Sequence, residues 1–423
     1  MDRSLFHKIT LIDSDSDEEF EIARQLVLEG EGSSSRGSSK NARRFIRRDR
    51  LQAHQNLFRD YFANPPIYPH KYFRRRFQMS RPLFLRIQAV VEAHEPYFVQ
   101  RRDSSGRLGF SSLQKITATL RMLAYGVAAD FMDEYLKIGE TTALRSLKMF
   151  VKAVVSIFSE EYLRKPNNDD IVRLLAVGEK RGFPGMLGSI DCMYWKWKNC
   201  PTAWHGMYSG HIHEPTIILE AVAYYDLWIW HAFFGLPGSH NDINVLDRSF
   251  IFSDLAQGCT PTVNYTINGH NYAMGYYLAD EIYPQWATFV KTISAPQGNK
   301  KKYFAAAQES AQKDVELAFG VLQARFAIIR GPARFSHIET LNEIMMACII
   351  LHNMIIEDER ANNGEEEFEY EQLPETYNDP VSTGPTPEFS EFIQRHHALR
   401  DRRIHSQLQT DLVEHLWQQY SAA

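Results

Sequence analysis

The chain has 423 residues, of which 44% are hydrophobic and 23% charged, and its formal net charge is −5. At the usual ~100 to 200 residues per domain, this length and apolar content predict two or three packed units and exclude a chain that is disordered throughout. The near-neutral charge does not in itself indicate nucleic-acid binding, so any such contact must rest on local clusters of charge.

The first 50 residues offer little that a core could bury. Acidic residues crowd positions 13–21 and a Gly/Ser-rich run occupies positions 30–39, so residues 1–50 are predicted to be disordered. Basic residues then cluster at positions 40–50. Such a cluster is typical of a nuclear-localisation signal or of an arm that contacts DNA, and equally of a solvated charge run.

Several features favour an intracellular, non-membrane location. No apolar leader opens the chain, and its four cysteines show no paired spacing, which together favour a reducing compartment. The longest apolar stretch, 216–235, contains Glu220, Asp226 and His231, so it is predicted to form buried strands rather than a membrane span. We therefore expect a nuclear protein without a membrane segment.

Residues 51–178 show only helical periodicity. A helix that begins near Thr141 would bury one side and align Arg145, Lys148 and Lys152 on the other. Shorter helices and a turn precede it, so the pattern predicts an all-α, helix-turn-helix-like lobe whose basic helix contacts DNA. An ordinary surface helix of an all-α lobe would show the same pattern.

From residue 183 the pattern changes to short aliphatic and aromatic runs bounded by Gly, Pro, Asn and Asp, which is typical of strands. The predicted strands are 186–194, 216–225, 227–234 and 272–279, and the predicted helices are 303–325 and 339–360. Strands followed by helices predict an α/β domain over 183–360, with a mixed sheet flanked by helices. An acidic, Pro-containing linker over 361–387 and a final amphipathic helix over 388–420, suited to dimerisation or partner binding, complete the chain.

Three acidic residues occupy places where a folded domain could gather them. Asp191 ends the run 185–191 and Asp280 ends the run 275–280, so both are expected near strand ends, and Glu316 lies at the margin of the buried stripe of the 303–325 helix. Hard divalent cations prefer such oxygen ligands, and a pair of cations can stabilise both the attacking and the leaving oxygen of a phosphodiester. The pattern therefore predicts a two-metal site for a hard divalent cation such as Mg²⁺, whereas the cysteine and histidine spacings argue against zinc.

Other residues are weaker candidates. Asp242 follows a predicted strand and is either a fourth metal ligand or a turn or cap residue. Lys301 belongs to a lysine tract before the helix that carries Glu316, where it would neutralise DNA phosphates or simply be solvated.

Aromatic and basic residues alternate after Asp191. Lys196 and Lys198 are interleaved with Trp195, Trp197 and Trp204, an arrangement that could stack unpaired bases beside phosphate-binding charges. Core or surface aromatics in an aromatic-rich chain are the favoured alternative.

Four segments of the chain resemble the plant PIF/Harbinger DDE transposases. These segments are 188–204, 234–246, 277–286 and 313–326, and the similarity extends from about residue 68 to residue 360. The resemblance implies an RNase H-like nuclease domain that cuts and rejoins double-stranded DNA with Mg²⁺ or Mn²⁺. It also implies an N-terminal helical DNA-binding region, a separate Myb/SANT-like partner protein, and Asp191, Asp280 and Glu316 as the three metal ligands.

Two positions depart from the family pattern. Glu281 stands where the family has Gly after its second acid, and Leu317 stands where it has Arg after the Glu. The first change adds a charge and a Cβ at a turn, and the second removes a cation that could contact phosphate. Neither change removes a ligand.

Two hypotheses of function therefore stay open. One is a metal-dependent DNA endonuclease and strand transferase, for which a homo-oligomer is a further expectation. The other is a domesticated transposase that no longer cuts DNA and acts as an interaction protein in chromatin or transcription. A hydrolase of small phosphate esters would use the same carboxylates but would not need the basic helical lobe.

Overall fold

The computed structural model describes residues 46, 48–104, 106–210, 213–240, 245–246, 248–249, 263–362 and 399–422. The predictions for residues 1–45, for most of the acidic linker, for Asp242 and for residues 388–398 of the final helix lie outside these ranges. Within them, Arg48–Ala423 forms one compact unit, so the helical segment and the strand-containing segment pack together.

Helices fill the chain before the sheet, as their apolar periodicity predicts. They are α1 (Arg50–Tyr61), α2 (His70–Phe77), α3 (Arg81–His94), α4 (Ser112–Tyr125), α5 (Phe131–Leu136), α6 (Glu140–Tyr162) and α7 (Asn168–Lys180). Local sequence sets their ends: Ser111 and Gln114 form a capping box at the start of α4, and Gly126, at a φ of 62°, ends it. The helical character of the segment is confirmed, and its helix-turn-helix-like character stays a prediction.

The predicted mixed sheet is confirmed. Its strands are β1 (Met186–Lys196), β2 (Thr216–Ala223), β3 (Ile229–Pro237), β6 (Tyr276–Ala279) and β7 (Phe289–Lys291), in the order β3-β2-β1-β6-β7. The β2 strand runs antiparallel to both β1 and β3, whereas β6 and β7 run parallel to their neighbours. A separate hairpin joins β4 (Tyr265–Ile267) to β5 (His270–Tyr272).

One predicted strand divides into two. Residues 272–279 hold the end of β5 and all of β6, separated by a turn that contains Gly275. A Cβ at Gly275 would lie 2.5 Å from the Leu187 side chain, so glycine permits the close approach of β6 to β1.

A short helix, α8 (His205–Tyr208), lies between β1 and β2, and the sheet is followed by α9 (Asn299–Arg325), α10 (Ala327–Arg330), α11 (Ile338–Asn362) and α12 (Arg402–Ala422). The α9 helix crosses one face of the sheet. Its Gln308 side chain donates hydrogen bonds to the Ala279 and Val290 carbonyls, and its Ala311 carbonyl accepts one from the Ser189 hydroxyl. The opposite face carries a smaller apolar cluster that includes Ile190 and Tyr277.

The α11 helix is the centre of the core and packs between α6 and β3. Asn353 on α11 holds the three elements together, because its amide donates to the carbonyls of Tyr162 and Ile229 and accepts from the Ile229 N–H. Among the described residues, this is the helix that is long and apolar enough to cross a membrane, and 67% of its apolar window is buried inside the fold.

The α12 helix covers the β7 edge of the sheet. Its Gln409 amide donates to the Lys291 carbonyl, and its apolar residues Leu408, Leu412 and Leu416 are buried against the same chain. The apolar face predicted to serve dimerisation or partner binding is therefore occupied within the monomer.

Candidate metal and DNA site

Asp191 and Asp280 lie at the same level on neighbouring parallel strands. Ser189 on β1 is in register with Leu278 on β6, and two further residues along each strand lead to Asp191 and Asp280. Asp191 is half-buried within β1, and Asp280 is exposed directly after the last residue of β6. The sheet therefore brings together two carboxylates that are 89 positions apart in sequence (280 − 191).

Both aspartates belong to the side of the sheet that α9 covers. Ser189 and Met193, the residues two positions before and after Asp191, contact Ala311 and Gln323 of α9. Since side chains alternate along a strand, Asp191 shares this face. The same alternation along β6 puts Tyr277 and Ala279 in the cluster on the opposite face and favours the α9 side for Asp280.

Glu316 lies on the part of α9 that passes this point. It falls between Ala311 and Gln323, and it follows the buried Gln308 and Gln312 at helical spacing on the same side of the helix. Its own side chain is exposed. Within the described ranges, no three His, Cys, Asp or Glu side chains form a group that could hold a metal ion, so the two aspartates and Glu316 do not close into one ligand set.

The carboxylates are nevertheless chemically suited to the expected metals. An all-oxygen, anionic donor set is the type that Mg²⁺ and Mn²⁺ prefer. Asp191 Oδ1 accepts a hydrogen bond of 2.7 Å from the Cys192 N–H, and Asp280 Oδ1 accepts one of 2.8 Å from the Glu281 N–H. These bonds orient each carboxylate on its own strand.

A cation accompanies the acids. Lys291, the last residue of β7, is in register with Ala279 next to Asp280. Burial lowers the pKa of Lys291, while the charges of Glu281 and Asp280 act in the opposite direction. Sequence reasoning missed Lys291 because the three residues of β7 are too few to show an alternating pattern.

The two departures from the family pattern have different surroundings. The Glu281 carboxylate accepts a hydrogen bond from the Ser294 hydroxyl, in the loop between β7 and α9. Glu281 does not have a positive φ, so its Cβ causes no backbone strain. Leu317 is 57% exposed and presents an apolar side chain beside Glu316.

The predicted basic face of α6 lies against groups of its own chain. The Arg145 guanidinium is 5.3 Å from the centre of the Tyr97 ring, and Lys152 lies 3.9 Å from Glu343 of α11. Burial raises the pKa of Glu343, and the charges of Lys152 and Lys148 oppose this effect. The structure thus gives each predicted DNA-contacting residue of α6 an intramolecular neighbour.

The other predicted DNA-contacting lysines differ from one another. Lys196 forms an ion pair of 2.6 Å with Glu214. Lys198 and Lys301 are exposed, and neither forms an ion pair with another described residue.

The aromatic residues after Asp191 are mainly structural. Trp195 and Trp197 are buried, and their indole N–H groups donate to the carbonyls of Gly331 and Phe335. The interpretation of these two residues as core aromatics is confirmed. Trp204 remains partly exposed.

Comparison with known proteins finds two matching protein families and one similar plant protein. Residues 160–363, which include Asp191, Asp280 and Glu316, match the plant transposon protein family, and residues 54–92 match a domain of unknown function. The chain is 24% identical over 304 residues to Protein ALP1-like of Arabidopsis thaliana, which covers 68% of this chain and 71% of the relative. No solved structure matches the chain. The match to plant transposon proteins and the similarity to Protein ALP1-like support a transposase-derived family.

Proposed function

We propose that the chain is a transposase-derived, divalent-metal-dependent DNA endonuclease and strand transferase, with an RNase H-like domain over residues 183–360. One observation carries the proposal: the strand register sets Asp191 and Asp280 side by side on parallel strands, inside the segment that matches plant transposon proteins. Acids on two adjacent strands and on the following helix have the order expected of such a domain.

Asp191, Asp280 and Glu316 would hold Mg²⁺ or Mn²⁺. The bound metal would stabilise negative charge on the attacking and leaving oxygens of a phosphodiester. The chain itself supplies rigid placement, because the aspartates lie on hydrogen-bonded strands and Gln308 ties the Glu316 helix to the sheet. Lys291 supplies a positive charge at the rim, where it would attract a DNA phosphate.

DNA recognition is proposed to be shared with a partner. The basic face of α6 has intramolecular neighbours, which leaves exposed lysines such as Lys198 and Lys301 for contacts with phosphates of double-stranded DNA. Sequence-specific recognition would then come from a Myb/SANT-like protein in the nucleus, and a homo-oligomer would bring two DNA ends together.

A plasmid assay tests this function. The purified chain with Mn²⁺, alone and with its Myb/SANT-like partner, should convert supercoiled plasmid to nicked and linear forms. Asp191→Asn, Asp280→Asn and Glu316→Gln should each lower the rate at least about a hundredfold, because ligands of a shared site act as a unit.

Glu309→Gln is the matched control for this assay. Glu309 is another exposed carboxylate on α9, and its neutralisation should leave the rate unchanged. Equal cleavage by the wild-type chain and Asp191→Asn would contradict the proposal.

A domesticated interaction protein is the second candidate function. The exposed Leu317 favours it, because an apolar side chain suits a protein contact better than a phosphate contact. This candidate predicts no cleavage with a partner shown to bind and no Mn²⁺ binding that depends on Asp191.

A further inference from the structure

The segment beyond β1 brings an exposed aromatic ring and exposed cationic residues close together along the backbone, because Trp204 packs on Trp197, the residue before Lys198, and Arg334 follows Ala333, which forms a bridge with Trp197. We define the Trp204 surface as Trp204, Lys198, Arg334 and His205, all of which are exposed. Its base is rigid because the buried Trp197 donates its backbone N–H to Pro215 and the Lys198 N–H bonds the Ala333 carbonyl, at 2.8 and 2.9 Å.

Trp204 is held in place by other aromatic rings. Its ring centre lies 6.0 Å from that of Trp197 and 6.2 Å from that of Tyr208, with which it is nearly parallel at 28°. Both neighbours are buried, whereas Trp204 is 39% exposed. A rigid indole with an open area loses little conformational entropy when a flat group stacks on it.

The cationic side chains of Lys198 and Arg334 are available to a ligand. Lys198 follows the buried Trp197, and Arg334 follows Ala333, the residue that pairs with Lys198 through the backbone. Neither side chain forms an ion pair or hydrogen bond with another residue in the described ranges. Of the acids nearby, Glu214 is already paired with Lys196. Burial raises the pKa of the Tyr208 hydroxyl, and the charge of Glu339 adds to this effect, which places Glu339 near Tyr208.

We propose that the Trp204 surface binds single-stranded DNA, with an unpaired base stacked on Trp204 and phosphates at Lys198 and Arg334. Every base has a face that can stack on an indole, and such stacking is worth about 1–3 kcal/mol per base. Bases in a duplex already stack on one another, so an exposed, rigid indole favours an unpaired strand. An acidic protein would use the charges but would not need the flat aromatic ring.

The location fits a DNA strand that leaves Asp191 and Asp280, which together form the acid pair. Trp197, whose ring contacts Trp204, lies six residues beyond Asp191 along the line of β1, on the same face by strand alternation and roughly 20 Å away at ~3.3 Å per residue. This inference rests on the proposed function, because a strand-transfer nuclease generates free ends whose bases can unpair. Binding of the strand itself, however, requires neither metal nor cleavage.

Fluorescence anisotropy of a labelled oligothymidine of about 12 nucleotides, with the full chain in EDTA, tests the proposal. Trp204→Ala should weaken binding at least about fivefold through lost stacking, and Trp204→Phe should retain most of the affinity. Lys198→Ala should reduce the slope of log affinity against log salt by about 0.7, the value for one phosphate contact on a single strand.

Matched controls come from the same chain. Lys196→Ala, which removes a lysine already paired with Glu214, should change affinity less than about twofold. Phe58→Ala removes an exposed aromatic side chain on α1 and should have no effect. Equal melting temperatures would show that the variants are folded.

The proposal would be overturned by no binding of oligothymidine by the wild-type chain, by equal binding by Trp204→Ala, or by duplex binding that depends equally on Trp204. A requirement of Trp204 for an acidic peptide, with no binding of oligothymidine, would assign the surface to a protein partner and also overturn it. Asp191→Asn should still bind oligothymidine. Loss of cleavage in this variant would therefore support the proposed nuclease function without testing the Trp204 surface. Intact cleavage in Asp191→Asn would contradict the proposed nuclease function and leave the single-stranded DNA proposal unaffected.

Discussion

His352 is a fully buried histidine on α11 whose two ring nitrogens have different partners. Its Nε2–H donates to the Leu227 carbonyl at 2.9 Å, and its Nδ1 lies 3.2 Å from the Arg325 guanidinium, which can only donate. A histidine within so apolar a helix is expected to be packed and hydrogen-bonded, and the structure shows both. The role of the next residue, Asn353, could not be predicted, because its three hydrogen bonds join it to two residues, Tyr162 and Ile229, that lie far away in the chain.

His352 should make stability depend on pH. Burial, helped by the Arg325 charge, lowers its pKa from 6.5 to about 3. The unfolded chain therefore binds a proton below about pH 6.5 that the folded chain does not bind, so stability falls as the pH is lowered. Between about pH 7 and about pH 5 this one residue should cost about 2 kcal/mol.

Thermal unfolding of the wild-type chain and of His352→Gln over this pH range measures the effect. The variant should be less stable at neutral pH, where the imidazole is well accommodated, and should lose less stability on acidification. Parallel pH profiles for the two proteins would show that His352 does not titrate in this way.

At the scale of elements, long periodic helices were predictable and short strands were not. The predicted helices 303–325 and 339–360 correspond to α9 and α11, because an apolar stripe of more than twenty residues leaves little ambiguity. The three-residue strands β4 and β7 were not predicted, because burial and pairing to distant strands fix them rather than local pattern.

Prediction from local sequence pattern is limited in the same way for Asp191 and Asp280. The position of Asp280 directly after a strand could be predicted from flanking composition, whereas Asp191, predicted near a strand end, lies within β1 because the pairing with β2 continues to Lys196. Their adjacency depends on the parallel pairing of β1 with β6, which joins segments about 90 residues apart and leaves no local signature. Lys291 could not be assigned to the site without β7.

The contact between α12 and the β4–β5 hairpin yields a prediction for this scale. The buried Asp411 carboxylate accepts hydrogen bonds from the Tyr272 hydroxyl and from His270 Nδ1, and the Asp411 carbonyl accepts one from Asn268. Asp411→Ala should lower the free energy of unfolding by about 1–3 kcal/mol, because the Tyr272 hydroxyl would lose its partner.

Denaturant unfolding provides the measurement, with Glu414→Gln as control. Glu414 lies on the same helix and pairs with Lys300 at the surface, so its loss should cost no more than about 1 kcal/mol. An Asp411→Ala variant as stable as Glu414→Gln would mean that the buried network contributes little.

On the scale of the whole molecule, the helical segment and the sheet share one core. Because α11 is buried between α6 and β3, and Asn353 bonds Tyr162 at the end of α6, removing the helices would expose the apolar face of α11. A fragment of residues 183–423 should therefore aggregate or lack a cooperative unfolding transition, whereas Arg48–Ala423 should unfold cooperatively. Circular dichroism during thermal unfolding distinguishes the two, and a cooperative transition in the shorter fragment would contradict this account.

The central claim is that the acid pair on β1 and β6 binds catalytic metal. Titration calorimetry with Mn²⁺ tests it most directly, because binding can be measured without DNA or a partner protein. The wild-type chain and Glu309→Gln should bind Mn²⁺ alike, and Asp191→Asn should bind at least about tenfold more weakly. Equal Mn²⁺ binding by Asp191→Asn and the wild-type chain would contradict the claim.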